Sequence, residues 1–317
     1  MNTADEGPGD LDGMALDAAV EQVVAADPSR DREAVRSALE YVAEEGVVTD
    51  AAVEDAFAHL SKVVATPETR VELAGDALAD AHETAAPVAD VDTVAARLDA
   101  FGTRVDNLEA RVDDLGADLQ SALDAREGSL YETAERVREL TERANGLQRA
   151  ADDLQLEIEE FETWLTDEES RLDAVAADLE SVTESVDDLE ARAADLEAGN
   201  VASDAAVEWA DATVARGVTA LLVADIRAEL DDLRTWPGGV DAERRLSELD
   251  RDAERMADRL DALDGRLESV DDDGWHDRFE HHLDPVDAVL SGAEPPVDWG
   301  AVHTEVRPHR AAIRDAG

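Results

Sequence analysis

The chain has 317 residues, with 80 Asp and Glu against 28 Lys and Arg, a formal net charge of -52. It contains no cysteine, which excludes disulfides, cysteine zinc sites and thiol catalysis. Aromatic residues make up 3% of the chain against 44% hydrophobic residues overall, so burial must come from Leu, Val and Ala, as in long packed helices.

Lys62 is the only lysine; every other base is arginine. Self-repulsion on this scale opposes a compact state in dilute buffer, and molar salt shortens its range to a Debye length of about 3 Å. Pervasive Asp, abundant Ala and Val and almost no Lys point to a haloarchaeal cytoplasmic protein. Disorder driven by charge is the alternative, and it conflicts with the sustained heptads described below. Phosphate contacts need basic patches, so the bulk charge argues against nucleic-acid binding. Arg244 and Arg245 form an isolated pair beside Glu243 and Glu248. No basic-then-apolar leader is readable at the N-terminus. The most apolar stretch, Val218 to Ala224, falls far short of the roughly 20 residues that span a bilayer, so no membrane insertion is expected.

In chain order, residues 1–10 carry Gly and Pro without periodicity and read as a disordered tail. Residues 11–86 read as a small domain of four helices. The first covers Leu16, Val20, Val23 and Val24 and ends near Asp27 and Pro28. The second begins near Ser29 to Asp31, carries Val35, Leu39 and Val42, and stops at Gly46. Thr49 and Asp50 cap a third, with Val53, Phe57 and Leu60 at helical spacing. Thr66 and Pro67 open a fourth, since proline suits the first helical position, and it runs through Val71, Leu73, Ala74 and Leu78 toward Pro87.

Residues 90–198 read as a long coiled coil. Val91, Val94, Leu98, Phe101, Val105, Leu108, Val112, Leu115 and Leu119 alternate spacings of three and four. A longer run follows in Val137, Leu140, Ala144, Leu147, Ala151, Leu154, Ile158, Phe161 and Leu165. After one break at Glu168 it resumes in Leu172, Val175, Leu179, Val182, Val186, Leu189, Ala193 and Leu196. Such a period lines one seam of a helix, which another helix must cover. The two runs slip by four residues through Leu123 and Leu130. A continuous helix would make this a stutter. Gly128, with Ser129 and Glu132 at capping-box spacing, instead favours a hairpin turning near 128. The helix before the turn would span roughly 37 residues and the one after it roughly 69, or about 55 and 100 Å. Ala150 and Trp164 flank the seam and widen its apolar face, which suits a bundle better than a two-stranded rod.

Gly199 and Asn200 stop the run. Residues 203–270 read as helices packing on the distal coil. A broad apolar helix from Ser203 to Leu233 carries Val207, Val214, Val218, Leu221, Leu222, Ile226 and Leu230. Trp236, Pro237, Gly238 and Gly239 break it, and heptads resume in Leu246, Leu249, Ala253, Met256, Leu260, Leu263, Leu267 and Val270. The matched lengths of 167–198, 203–234 and 241–270 predict an antiparallel three-helix bundle. Residues 271–317 read as short helices and loops separated by Pro285, Gly292, Pro295, Pro296 and Pro308. The expected fold class is therefore all-α: a small N-terminal helical domain, a long antiparallel coiled-coil hairpin and a helical bundle.

Few residues suggest chemistry. Glu168 occupies a seam position, where a lone buried carboxylate would cost several kcal/mol unless paired. It reads either as a register-setting switch or as a local opening with a kink near Leu165, capped by Thr166 and Glu169. The segment from Ser269 to Glu280 approximates a calcium loop, with Asp271, Asp273, Asp277 and Glu280 as ligands and Gly274 at the turn. Ser269 and His276 depart from that pattern, and a solvated helix stop explains the same residues. The histidines at 59, 82, 276, 281, 282, 303 and 309 form no His-Glu-x-x-His zinc motif, and neighbours His281 and His282 diverge by about 100° on a helix. Lys62 follows no glycine-rich loop, and no nucleophile elbow or dinucleotide fingerprint is present. Trp209, Trp236, Trp275 and Trp299 read as bundle-end core. No catalytic residue, no cofactor and no established metal site is expected, and the chain reads as non-enzymatic.

The stretch VRSALEYVAEEGVVT from Val35 to Thr49, the TRVELAG segment from Thr69 to Gly75, and the Asp-, Ala- and Arg-rich heptads after them resemble haloarchaeal coiled-coil proteins of the halo transducer kind. The resemblance covers most of the chain and implies cytoplasmic signalling through long coils; it carries over no functional residue. The expected function is an interaction or scaffold protein whose partner is another protein or a second copy of the chain, a homodimer. A transducer-like component passing helix shifts to a partner is one alternative, and a chromosome-associated or chaperone-like coil is another.

Overall fold

The computed structural model describes residues 10–124, 129–201, 204–236, 240–271 and 274–316. The expected tail therefore lies almost wholly outside the described residues, as do Gly128 at the expected turn, Ser203, Pro237, Gly238, Gly239 and Asp273. The chain is all-α, with ten α-helices and three two-residue strands among the described residues. It divides into two compact units: residues 1–83 with 101–160, and residues 84–100 with 161–317.

The first unit opens with β1 (Met14–Ala15), α1 (Leu16–Ala26), α2 (Arg32–Glu40), β2 (Ala43–Glu44) and β3 (Val47–Val48). Asp27 ends α1 and gathers the Ser29 amide at 3.1 Å, the Ser29 hydroxyl at 2.6 Å and Arg30 Nε at 3.0 Å. Asp31 caps α2 by accepting from the Ala34 amide at 2.9 Å. The strands form an antiparallel sheet in the order β1-β3-β2. Leu11, Val20, Val23, Val35, Leu39, Val42 and Val48 are buried.

Gly46 is not the helix stop that its position suggests. Helix α2 ends six residues earlier at Glu40, and Gly46 turns the β2-β3 hairpin instead. Glu45 at φ 49° and Gly46 at φ 80° supply the two positive angles of the tight turn that matches the strand twist. Thr49 caps α3 (Asp50–Ala85) by accepting from the Ala52 amide at 3.1 Å. Helix α3 runs unbroken through Pro67, where a new helix was expected. Proline interrupts only the bond to the Val63 carbonyl. It is buried, and the hydroxyls of Thr66 and Thr69 turn back to the carbonyls of Lys62 and Ala65. Lys62 itself is exposed.

Helices α4 (Asp92–Asp124) and α5 (Leu130–Thr166), like α3, contribute to both units. Within the first unit Arg70 pairs with Asp152 at 3.3 Å, Arg104 with Glu157 and Arg143 with Asp118. A Cβ on Gly75 of α3 would touch Val105 of α4 at 4.0 Å. Ser129 and Glu132 form the expected capping box: the Ser129 amide donates to Glu132 at 3.0 Å, and the Glu132 amide donates to the Ser129 hydroxyl at 3.2 Å.

The 69-residue helix expected after the turn is two helices. α5 ends at Thr166, and α6 (Glu168–Ala198) begins after the single non-helical residue Asp167. Asp167, rather than the Thr166 and Glu169 pair, is the cap; it accepts from the Glu169 and Ser170 amides at 3.3 Å and the Ser170 hydroxyl at 2.7 Å. Its φ of -113° and ψ of 117° put it in the extended region that a cap residue needs.

In the second unit α6, α7 (Ala205–Thr235) and α8 (Val240–Val270) pack on one another, each 31 residues long. Arg259 pairs with Glu190 and Arg266 with Glu197, so α6 and α8 run parallel. Arg216 pairs with Asp264 and Arg234 with Asp250, so α7 runs against α8. The result is an up-down-up bundle. Gly199, at φ 67°, ends α6 with its amide on the Leu196 carbonyl and the Asn200 amide on the Asp195 carbonyl.

Helices α9 (Trp275–Gly292) and α10 (Trp299–Asp315) pack on each other and on α7. Pro285 and Pro308 lie inside them rather than separating shorter pieces. A Cβ on Gly217 of α7 would stand 2.8 Å from Leu290 Cδ1, so glycine admits α9 at this approach. No helix among the described residues is long and apolar enough to cross a membrane.

Candidate functional site

The break at Asp167 lies beside a pocket of the second unit. The seam residues Phe161 and Leu165 before it, and Leu172 and Val175 after it, are buried, as the heptads predict. Trp164 flanks that seam. Arg171 comes seven residues later, so it falls on the same flank, and it too is buried, at 7% exposure. A pocket of about 300 Å³ opens beside it, lined by Arg171, Leu172, Leu233, Arg234, Trp236 and Ser247 among others; Glu168 and Glu243 contribute carboxylates.

An aromatic stack backs this pocket. Phe161 and Trp164 stack with centroids 5.5 Å apart, and Trp164 meets Trp236 edge-on at 5.4 Å. Arg97 of α4 lies 4.4 Å over the Trp164 ring, and Arg171 lies 4.5 Å over Trp236. Arg171 Nη1 also donates to the carbonyls of Trp164 and Leu165, each at 3.0 Å, which are end-of-helix acceptors freed by the break. Burial pulls the Arg171 guanidinium below its ordinary range, against the charges of Glu168 and Asp167. Trp164 Nε1 is buried without a hydrogen-bond partner.

Behind the stack, Arg97 pairs with Glu229 at 2.7 Å. Burial pushes the Glu229 carboxyl up; Arg97 offsets part of that rise, and Asp178 and Asp225 add to it. Asp225 is structural: it accepts from the Val297 amide at 3.0 Å and from Trp299 Nε1 at 2.8 Å. Asp232 caps α4 by accepting from the Thr93 amide at 2.9 Å and the Thr93 hydroxyl at 2.6 Å.

The pocket presents charged and aromatic groups together. Two guanidiniums, an indole face and two carboxylates can orient a charged or aromatic group. Ser247, the hydroxyl in the lining, donates to the Glu243 carbonyl of its own helix at 2.8 Å. Glu168, the residue singled out by its seam position, is half-buried at the rim, and the local opening is what the chain adopts around it.

Of the four calcium-loop residues, three are described. Asp271 accepts from the His276 amide at 3.3 Å, while Asp277 and Glu280 are exposed on α9; Asp273 is outside the described residues. Among the described residues no group of three His, Cys, Asp or Glu is placed to hold a metal. Trp209 and Trp299 are packing groups with satisfied indoles, Trp209 donating to the Leu267 carbonyl at 2.9 Å. Trp236 instead lines the pocket.

Two clusters have no counterpart in the sequence reading. Asp211 of α7 receives Arg192 Nη2 at 2.9 Å, Arg310 Nε at 2.7 Å and Arg314 Nε at 2.9 Å, joining α6, α7 and α10. His282 of α9 and His309 of α10 meet through their Nδ1 atoms at 3.3 Å. The sequence signals for the pocket were the seam break at Glu168 and Trp164 on the flank of the seam; Arg171 shares that flank at heptad spacing but was missed. Comparison of the chain with protein families, curated proteins and solved structures found no match.

Proposed function

We propose that the chain is a non-enzymatic interaction protein of a haloarchaeal cytoplasm, and that it docks a partner protein at the pocket beside the Asp167 break. The observation that carries this reading is the buried Arg171 guanidinium, stacked on Trp236 at the wall of an open pocket. Burying a guanidinium is costly, and a site that holds one against an indole suits recognition of a carboxylate-bearing side chain.

In this reading α4 and α5 form an antiparallel coiled-coil hairpin that turns near Gly128. It is supported by the Arg143 to Asp118 and Arg104 to Glu157 pairs, whose positions move in opposite directions along the two helices. Nucleic acid is not the partner in this reading, which the net charge of -52 supports, since phosphate contacts need basic patches.

The test is capture of partners at molar KCl, run side by side with wild-type chain and with an Arg171→Gln, Trp236→Ala variant of matched helicity. A protein enriched by the wild type and lost by the variant supports docking at this pocket. An identical set from both rejects it. A second reading, a transducer-like component that passes helix shifts, is favoured by the helix break itself. Receptor or kinase partners in the same experiment would select it, and nucleoid partners would select the chromosome-associated reading.

A further inference from the structure

We propose that His282 and His309 form a two-histidine site for a tetrahedral divalent transition-metal ion, zinc in particular, which clips α9 to α10. The two helices already pack through Phe279, Leu283 and Val286 on one side and Val302, Val306 and Ile313 on the other, all buried. That core fixes the helix spacing, and the two half-buried imidazoles meet at its edge with ring centroids 5.5 Å apart and planes at 66°.

The separation of the two nitrogens is compatible with a tetrahedral ion. Zinc binds imidazole nitrogen at about 2.0–2.1 Å, so two ligands at a tetrahedral angle stand about 3.3 Å apart, whereas ligands at a right angle stand about 2.9 Å apart. The observed Nδ1 to Nδ1 distance is 3.3 Å. The donor set points the same way: two neutral nitrogens suit zinc, nickel or copper and do not suit calcium or magnesium, which take oxygen ligands.

Without metal, this contact requires two different tautomers, one Nδ1 donating its proton and the other accepting. With metal, both rings carry their proton on Nε2 and both Nδ1 lone pairs bind the ion. One ring moves its proton from Nδ1 to Nε2 through solvent; no proton is lost and nothing is oxidised or reduced. Water completes the remaining two positions. His281 lies with its centroid 4.0 Å from His282 but belongs to no three-ligand group, so it is not assigned as a ligand.

The test is calorimetric titration of the full chain, free of any histidine tag, with zinc chloride at molar KCl, followed by cobalt(II) in its place. One equivalent of zinc should bind, at least about tenfold more weakly to His309→Ala and to His282→Gln and with unchanged affinity to His281→Ala. Cobalt should give the intense visible bands of a tetrahedral centre. Circular dichroism of each variant confirms that the fold is retained. Equal zinc affinity in wild type and in the His282→Gln, His309→Ala double variant would overturn the site. A weak octahedral cobalt spectrum would overturn its tetrahedral assignment.

Discussion

Asp211 is the residue on which most charge converges, and its environment fixes a response to acid. Burial pushes its carboxyl up, and Arg310, Arg314 and Arg192 more than reverse that, leaving it far below the ordinary 3.8. A depressed folded value stabilises the fold above the unfolded value, and that contribution disappears as pH falls below about 3.8 toward the folded value. Asp211→Asn should therefore lower stability by about 1–3 kcal/mol near neutral pH, given that its three partners are part-exposed. The difference from wild type should shrink below pH 4 in urea unfolding followed by circular dichroism. This cluster was not legible in the sequence. Its members are separated by 19, 99 and 103 residues, and each is one acid or base among many in a highly charged chain. The seam residues were legible for the opposite reason. From Val137 to Leu196 each predicted apolar position is buried, because a period of three and four needs no knowledge of distant neighbours.

Among the elements, helix ends with a local chemical cause were readable and those with a tertiary cause were not. Ser129, Thr49 and Gly199 act where the sequence places them, since each cap lies within a few residues of the groups it satisfies. Gly46 and Pro67 were misleading. A hairpin uses the same left-handed glycine as a helix stop, and a buried proline can sit inside a long helix whose packing offsets one missing bond. Gly199→Ala should cost about 1 kcal/mol, because a side chain at φ 67° is strained even though nothing lies within 4 Å of its Cβ. Gly217→Val should cost about 1–3 kcal/mol for a different reason, overpacking against Leu290 where α9 approaches α7. Comparing the two variants by urea melts separates backbone strain from collision: pairing Leu290→Ala with each should relieve only the second.

The whole molecule carries a net charge of -52, with arginines from several helices reaching across to neighbouring carboxylates. Such pairs are individually weak at a surface, and the excess of unpaired acid opposes them all. Dilution from molar KCl to about 0.01 M lengthens the Debye length from about 3 Å to about 30 Å, so mean-residue ellipticity at 222 nm should fall steeply. Unchanged helicity would count against the halophilic reading. The break at Asp167 also bears on how such a chain can change length through evolution. Leu165 and Leu172 keep heptad spacing across it, so the seam of α6 remains in step with the residues before it. Insertions or deletions of a whole heptad beside the break preserve that phase. Removal of a single residue turns the following seam by about 100° and carries its leucines away from α7 and α8. The joint tolerates a missing turn of backbone hydrogen bonds, yet it makes length a quantised trait, open to change in steps of seven.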